Sequence, residues 1–238
     1  GGIGWYRKTF SLPASASARR VFLEFEGVYM NSEVWLNGQT LGTRPYGYST
    51  FQYELTPLLK FGGAPNVIAV RAVVQQPGSR WYSGGGIYRH VWLTIANPVH
   101  IDHWGMVVRT TAVDAARAEV HVRVDVRNQS ASRVSAETEV TIHDRTGRAV
   151  ATQRRPHAIR ANSLASYEFS LKVPQPHRWS IDDPYLYSVD ARVRVAGRAV
   201  DEERVAHGMR TIAFTPDSGF LLNGVRVPLH GVCLHHDL

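Results

Sequence analysis

The chain has 238 residues, of which 44% are hydrophobic and 20% charged, and its net charge is +7 from 27 Lys and Arg against 20 Asp and Glu. This composition is typical of a globular protein with a real core and excludes an intrinsically disordered chain. The basic residues occur singly or in pairs such as Arg19-Arg20, without a long run. We therefore interpret the charge as that of solvated strand surfaces, and we expect neither a nucleic-acid nor a membrane partner.

Cys233 is the only cysteine. A single thiol excludes an intrachain disulfide and a thiolate metal cluster. No apolar stretch of the sequence is long enough to span a bilayer. These features leave the compartment open between cytoplasm, periplasm and secretion, and we expect no cofactor in this chain.

The first hundred residues alternate apolar and polar side chains, which predicts β-strands. Strands are predicted at 21–25, 33–36, 66–74 and 88–95, and Asn37-Gly38 is the strongest short signal for a β-hairpin. Composition shifts near Asn97-Pro98, where most of the aromatic residues end, and this predicts a domain boundary.

Valine alternation marks the second half. In the segment 120–127 four valines fall on one face and four polar residues on the other, and 189–195 repeats the pattern. The segments 135–142 and 166–173 are weaker versions. About seven short strands up to residue 206 predict an immunoglobulin-like sandwich, and no window has a helical stripe, so the predicted fold class is all-β.

The last thirty residues differ again. A hairpin is predicted at 220–227, followed by a buried strand at 228–232 and then by His235-His236-Asp237. Polar residues at the end of a buried strand are typical of the active site of a (β/α)8 barrel. The sequence therefore predicts the start of such a barrel.

A glycine-rich loop at 79–89 is the most informative local feature. Gly84-Gly85-Gly86 allows close approach of a partner, and aromatic rings beside it can stack on the C–H face of a sugar. The alternative is a tight loop that packs on a neighbouring domain. For Tyr88 and Arg89 we prefer packing. For Arg80 and Trp81 the sequence favours sugar contact and packing equally. Contiguous glycines without a following helix do not fit a phosphate loop.

The histidines of the tail invite a metal interpretation, which we reject because adjacent strand residues such as His235 and His236 point in opposite directions. We expect no metal site. His230 is interpreted as a partly buried histidine, and His235 as a group that can hydrogen-bond a sugar hydroxyl. A retaining glycosidase needs two carboxylates about 5–5.5 Å apart, and the tail supplies only Asp217 and Asp237.

The order of these motifs resembles glycoside hydrolase family 2 along essentially the whole chain. The opening Gly-Trp-Tyr-Arg-Lys-Thr-Phe resembles the first strand of its sugar-binding jelly roll, and Trp-Tyr-Ser-Gly-Gly-Gly-Ile-Tyr-Arg its signature loop. The ending Gly-Val-Cys-Leu-His-His-Asp resembles its first barrel strand. The other matching segments are 34–38, 46–51, 183–187, 208–212 and 220–224, together with Trp179.

The resemblance implies a jelly-roll domain at 1–97, an immunoglobulin-like sandwich at 98–207 and the truncated start of the catalytic barrel at 208–238. It implies that His235, Arg80 and Trp81 contact the sugar, and that the catalytic glutamates come from later barrel strands. We therefore expect this chain alone to be inactive. Ser79-Arg80 departs from the acidic residue that some members carry before the signature Trp.

Within the family, the loop and the ending look most like those of β-galactosidases, with β-glucuronidase and β-mannosidase as rivals. The expected partners are a β-galactoside or related sugar and the missing catalytic barrel, and a homo-oligomer is left open. An alternative from another class is a free-standing carbohydrate-binding β-sandwich pair. The barrel-like tail argues against that alternative.

Overall fold

The structure, a computed structural model, describes residues 2–74 and 84–233. In this part of the chain no helix is long and apolar enough to cross a membrane. The chain divides into two compact units, Gly1–Asn97 with Val232–Leu238, and Pro98–Gly231. Strands dominate both units, which confirms the predicted all-β fold class.

The first unit is built from antiparallel strands that form two main sheets, with orders β1-β7-β4-β5 and β6-β2-β9, and a two-stranded pair, β3-β8. Two short 3-10 turns, Ala14–Ala18 and Thr56–Leu58, connect strands. The strands are β1 (Gly2–Ser11), β2 (Arg20–Phe25), β3 (Val28–Tyr29), β4 (Ser32–Leu36), β5 (Gln39–Arg44), β6 (Phe51–Glu54), β7 (Pro65–Val74), β8 (Gly86–Ile87) and β9 (Val91–Ala96).

Strict alternation along β2, β4 and β7 builds the core of this unit. Every second side chain of β2 is buried, and Val21 and Phe25 are at most 1% exposed. Val34 and Leu36 of β4 are fully buried and belong to the same cluster. Burial of each such side chain stabilises the fold by roughly 1.5–3 kcal/mol, so the period-2 pattern fixes which face of each strand points inward.

The β4–β5 hairpin turns at Asn37-Gly38, as predicted. Both residues have positive φ, 52° and 85°, which the tight hairpin turn requires. The Asn37 side-chain amide donates to the Leu58 carbonyl and to Asn66 Oδ1, both at 2.9 Å, and its Oδ1 accepts from the Val67 amide at 3.0 Å. The turn is thereby tied to a buried polar group of β7.

The second unit contains a three-stranded sheet, β10-β11-β14, and a four-stranded sheet, β13-β12-β15-β16. These seven strands confirm the predicted immunoglobulin-like sandwich. A small sheet, β17-β18-β19, follows them. The strands are β10 (Val99–Val113), β11 (Arg117–Asn128), β12 (Val134–His143), β13 (Ala149–Ile159), β14 (Ser163–Pro174), β15 (Tyr187–Val195), β16 (Arg198–His207), β17 (Ile212–Thr215), β18 (Gly219–Leu222) and β19 (Val225–Arg226).

The core of the second unit lies between its two sheets. Val120, Val122, Val124 and Val126 of β11 are all 0% exposed, in agreement with the alternation predicted from the sequence. They belong to one cluster with the inward residues of the facing sheet, among them Val140, Ile142, Val189 and Val193.

Charged side chains pair across the outer face of the four-stranded sheet. Glu139 of β12 lies opposite Arg154 of β13 and Arg192 of β15, and Arg192 lies opposite Glu202 of β16. Arg154 donates to Glu139, and Arg192 Nη2 lies 2.8 Å from Glu202. We call these four residues the charge ladder. Opposite charges on facing strands stabilise a sheet pairwise.

Asp190 adds a more buried pair to the same sheet. It is 7% exposed, and Arg204 donates two hydrogen bonds to it at 2.8 and 2.6 Å. Ser188 Oγ donates a third at 2.7 Å. Burial acts to raise the pKa of the Asp190 carboxyl, but the hydrogen bonds from Arg204 and Ser188 outweigh it and hold the pKa below its usual range.

The tail follows the sequence prediction in part. The β18–β19 hairpin turns at Asn223-Gly224, with φ of 52° and 81°. The buried strand predicted at 228–232 is wrong for this chain: these residues lie in no strand, and Leu229 and Val232 are 68% and 87% exposed. His230 is likewise exposed. A parallel barrel strand depends on both neighbours for its hydrogen bonds and burial, and the described residues supply neither.

Candidate functional site

The three predicted sugar-contacting residues lie outside the described residues. Arg80 and Trp81 fall in the segment 75–83, and His235 falls in 234–238. Their roles stay predictions. The described end of the glycine-rich loop, from Gly84 onward, shows how the loop returns to the first unit.

Gly86 anchors the end of this loop in a two-stranded pair. Tyr29 pairs with Gly86, and Val28 pairs with Ile87. Gly86 has a φ of 97°, and a Cβ there would collide with the Tyr6 hydroxyl. The Ile87 amide donates to that hydroxyl at 3.3 Å. Only glycine satisfies both the backbone angle and the close approach.

Tyr88 connects the end of the loop to the backbone at Gly47 and at Gly27. Its hydroxyl donates to the Gly47 carbonyl at 2.9 Å, and its ring lies against Gly27, where a Cβ would stand 2.5 Å from the ring. The Arg89 guanidinium lies 5.8 Å from the centre of the Tyr88 ring. These contacts support the packing interpretation of Tyr88 and Arg89.

Four tyrosines form an aromatic surface beside the loop, and we call Tyr29, Tyr46, Tyr48 and Tyr88 the tyrosine cluster. Ring centres are 5.2 Å apart for Tyr29 and Tyr48, 5.7 Å for Tyr46 and Tyr48, and 6.3 Å for Tyr48 and Tyr88. Tyr46 and Tyr48 are 63% and 59% exposed, whereas Tyr29 is buried. The backbone of Gly47 lies against the Tyr29 ring and holds the pair of exposed rings in place.

The chemistry of this surface is compatible with a carbohydrate ligand. Exposed phenol rings present an apolar face together with a hydroxyl that both donates and accepts hydrogen bonds. Sugars offer the matching combination of C–H faces and hydroxyls. Among the described residues no group of His, Cys, Asp and Glu is arranged to hold a metal ion.

A second polar group, Glu26 with His90 and Trp92, was missed by sequence reasoning. The Trp92 indole N–H donates to Glu26 Oε1 at 2.8 Å, and His90 Nδ1 lies 3.1 Å from Oε2. The Trp92 hydrogen bond, followed by that of His90, lowers the pKa of the Glu26 carboxyl. The signal was available for His90 and Trp92, because residues two apart in the predicted strand 88–95 share one face.

In the second unit, segments that carry the resemblance pack against one another. A Cβ at Gly208 would stand 2.9 Å from the Trp179 ring, and Arg210 lies 4.8 Å from the centre of that ring. Asn223 Nδ2 donates to the Trp179 carbonyl at 2.9 Å. The resembling segments around 179, 208–212 and 220–224 therefore meet in one place.

Two carboxyl groups of the second unit have a raised pKa. Burial is the main cause for both Asp201 and Glu203, and the Asp201 charge adds to the effect on Glu203. Asp201 Oδ2 accepts from the Ile101 amide at 2.7 Å. This contact gives Asp201 a structural role in joining β16 to β10.

Comparison with known proteins identifies two family models along the chain. The model of the sugar binding domain of glycosyl hydrolases family 2 matches residues 1–98, and the model named glycosyl hydrolases family 2 matches residues 99–210. Together they cover all but the last 28 residues.

Two curated relatives show the range of printed activities. The chain is 43% identical to the beta-galactosidase BoGH2A of Bacteroides ovatus over 100% of its own length and 28% of that protein. It is 30% identical to a beta-glucuronidase of Bacteroides fragilis over 99% of its length and 35% of that protein. The chain thus spans about a third or less of the relatives that it matches.

Solved structures give the same result. A glycosyl hydrolase family 2 member from Bacteroides cellulosilyticus has a TM-score of 0.96 at 38% identity, covering 100% of this chain and 30% of that one. A beta-glucuronidase from glycoside hydrolase family 2 has a TM-score of 0.92 at 30% identity, covering 97% of this chain and 26% of that one.

Proposed function

We propose, from the premise that the chain belongs to glycosyl hydrolase family 2 and carries its sugar-binding and immunoglobulin-like domains, that it is the non-catalytic N-terminal portion of a retaining exo-β-galactosidase. The substrate of the parent protein is a terminal β-galactoside. The division into 1–97, 98–207 and 208–238 belongs to the same proposal, with the third segment leading into the catalytic barrel.

The observation that carries the proposal is the 43% identity to a beta-galactosidase over the whole chain. The beta-glucuronidase relatives are the main competitors, because a putative one matches 99% of the chain at 37% identity and two others match equally long stretches at 30–31% identity. Since the chain spans 28% of the beta-galactosidase, the chemistry belongs to the remainder of the parent. The same relation to a longer protein argues against a free-standing carbohydrate-binding pair.

The described contacts support a sugar-facing role for the loop that contains Arg80 and Trp81. Val74 ends β7 and lies against Gly85, where a Cβ would stand 2.5 Å from Val74 Cγ2. The residues that bracket 75–83 are thus held side by side. A loop with fixed ends can place Arg80 and Trp81 at the rim of a subsite, and the tyrosine cluster extends an aromatic surface beside those ends.

The test is a comparison of nitrophenyl β-galactoside, β-glucuronide and β-mannoside as substrates of the full-length parent. We expect kcat/KM to be largest for the galactoside. A preference for the glucuronide would overturn the assigned substrate and leave the family untouched. The 238-residue chain serves as the matched control and should show no turnover, since removal of both glycosidase carboxylates removes the nucleophilic and proton-transfer routes.

A further inference from the structure

Strand β10 is interrupted by a large bulge. Ile101 pairs with Val126 and Met106 pairs with Val124, so five steps along β10 match two along β11. The extra residues carry Trp104 into solvent, where it is 67% exposed. Such insertions re-aim a side chain at the edge of a sheet and are frequent beside functional sites.

The backbone of the bulge is strained at Trp104 and closely packed at Gly105. Trp104 has a φ of 53°, a left-handed conformation that is strained for a bulky residue and persists only where the surrounding structure holds it. Gly105 fits against two backbone carbonyls, because a Cβ there would stand 2.6 Å from Asp102 O and 2.8 Å from Asp125 O. Arg127 donates two hydrogen bonds to the Asp102 carboxylate, at 2.6 and 2.8 Å.

Beyond the bulge, the outer face of the same sheet contains a polar groove of about 200 Å³. Two rows of side chains cross its three strands. One row is Val107, Arg123 and Glu168, and the next is Arg109, His121 and Ser170. Thr111 completes the lining of the groove.

Arg123 connects the groove to the bulge. Its guanidinium lies 3.4 Å from the Asp125 carboxylate, and the backbone of Asp125 is one of the two surfaces against which Gly105 packs. The bulge that carries Trp104 and the groove therefore lie on the same sheet and are connected through Asp125.

The groove differs from the outer face of the opposite sheet. There the charge ladder and the Asp190–Arg204 pair satisfy their charges within the protein. In the groove, Arg109 and Glu168 lie in the described part of the chain without an ion pair or side-chain hydrogen bond. Unpaired donors and an acceptor that converge on a groove are the features of a small-molecule site.

We propose that the Trp104 bulge and this groove form a second carbohydrate-binding site, for a neutral pyranose oligosaccharide. The His103 ring stacks on the indole with ring centres 4.4 Å apart, and the part of the indole that stays exposed supplies a flat apolar surface for the C–H face of one sugar ring. Arg109 and His121 can donate to sugar hydroxyls, and the Glu168 carboxylate can accept from them. The Glu168 carboxylate balances the Arg109 charge and Asp125 balances that of Arg123, so the groove has no excess positive charge to favour an anionic sugar. The site lies in the immunoglobulin-like domain and does not depend on the proposed galactosidase activity.

The test is isothermal titration calorimetry of the 238-residue chain with β-1,4-galactotetraose, cellotetraose and tetragalacturonate. We expect at least one neutral tetraose to bind with a dissociation constant of about 1 mM or lower, and tetragalacturonate to bind at least tenfold more weakly. Trp104→Gly should weaken neutral binding at least tenfold; glycine accepts the left-handed backbone without strain, and an unchanged thermal melt would show that the loss of binding does not come from misfolding. Arg109→Gln should weaken binding several-fold.

The matched control is Trp92→Ala, which removes an exposed indole of the first unit and should leave binding unchanged. Failure of both neutral tetraoses to bind would overturn the proposal, as would wild-type affinity in Trp104→Gly or a stronger affinity for tetragalacturonate. Binding lost only in Trp92→Ala would place the sugar on the first unit and overturn it too. Because hydrolysis is not measured, these outcomes are independent of the test of the proposed function.

Discussion

The Tyr88 hydroxyl donates a hydrogen bond of 2.9 Å to the backbone carbonyl of Gly47, 41 positions earlier in the chain. It joins the end of the glycine-rich loop to the loop that carries Tyr46 and Tyr48. The position of the exposed rings thus depends on a contact that neither loop makes alone.

Replacement of Tyr88 by Phe tests this contact. The variant keeps the ring against Gly27 and loses only the hydroxyl, so we expect the free energy of unfolding to fall by about 1 kcal/mol. Urea denaturation measures the change. Tyr46→Phe is the control, because Tyr46 is 63% exposed and loss of its hydroxyl should change stability by less than about 0.5 kcal/mol. Equal effects in the two variants would contradict the anchoring role of Tyr88.

Asp190 and Arg192 should differ in their effect on stability. Asp190→Ala removes the acceptor of three hydrogen bonds and empties a buried position, whereas Arg204 is largely exposed and stays solvated, so we expect a loss of about 1–2 kcal/mol. Arg192→Ala breaks a solvent-exposed pair with Glu202 and should cost less than about 1 kcal/mol. Chemical denaturation of both variants at 0.05 and 0.5 M salt would separate them. A larger loss for Arg192 would show that the charge ladder acts as a cooperative network.

His157 should make the second unit sensitive to acid. Burial, with the Arg155 charge as a smaller cause, lowers the pKa of its ring from 6.5 to about 4. Its Nε2 lies 2.7 Å from Thr138 Oγ1, and its ring stacks on Tyr167 with centres 3.8 Å apart. The folded state therefore favours the neutral ring.

A lowered histidine pKa gives stability that is fully present above about pH 6.5 and is lost as the pH falls toward 4. The upper bound of this contribution is about 3.5 kcal/mol, since one pKa unit is worth about 1.4 kcal/mol and the pKa falls from 6.5 to about 4. Partial exposure of the ring reduces it. His157→Phe keeps the stacking and removes the titration. Thermal melts between pH 7 and 4 should show a smaller decline for the variant, and an unchanged decline would point to other groups.

His235 and His236 should have different roles in the full-length parent. If His235 binds a sugar hydroxyl in the transition state, His235→Ala should lower kcat/KM by a factor of ten or more. His236 would point away from the site, so His236→Ala should mainly lower thermal stability. Addition of a chelator should not reproduce the His235 change. Wild-type kcat/KM in His235→Ala would contradict the assignment.

The sequence predicted those parts of the fold in which local pattern and tertiary burial agree. Alternation placed the four valines of β11 correctly, and the two Asn-Gly pairs located their hairpins, because a period of two and a positive φ are local requirements. The strand predicted at 228–232 was wrong because its burial depends on neighbours in space, which the pattern does not contain.

The candidate sites, too, could be predicted only where the signal is local in the sequence. Aromatic residues and glycines near 79–89 signalled the loop, but the contact of Tyr88 with Gly47 depends on the fold. The one local sign of the bulge at Trp104 is Gly105, because a glycine within a strand often marks a bulge or a close backbone approach. Only the register against β11 shows that three additional residues are accommodated there.

The environment of Asn37 has a consequence for chemical ageing. Asparagine is a thermolabile residue, and a following glycine leaves its side-chain amide open to attack by the next backbone nitrogen. Deamidation would replace the Nδ2 donor with a carboxylate oxygen facing two acceptors, the Leu58 carbonyl and Asn66 Oδ1. Two hydrogen bonds would then become repulsive contacts beside a buried amide. Long-stored protein should therefore accumulate an acidic form that unfolds first at the β4–β5 hairpin.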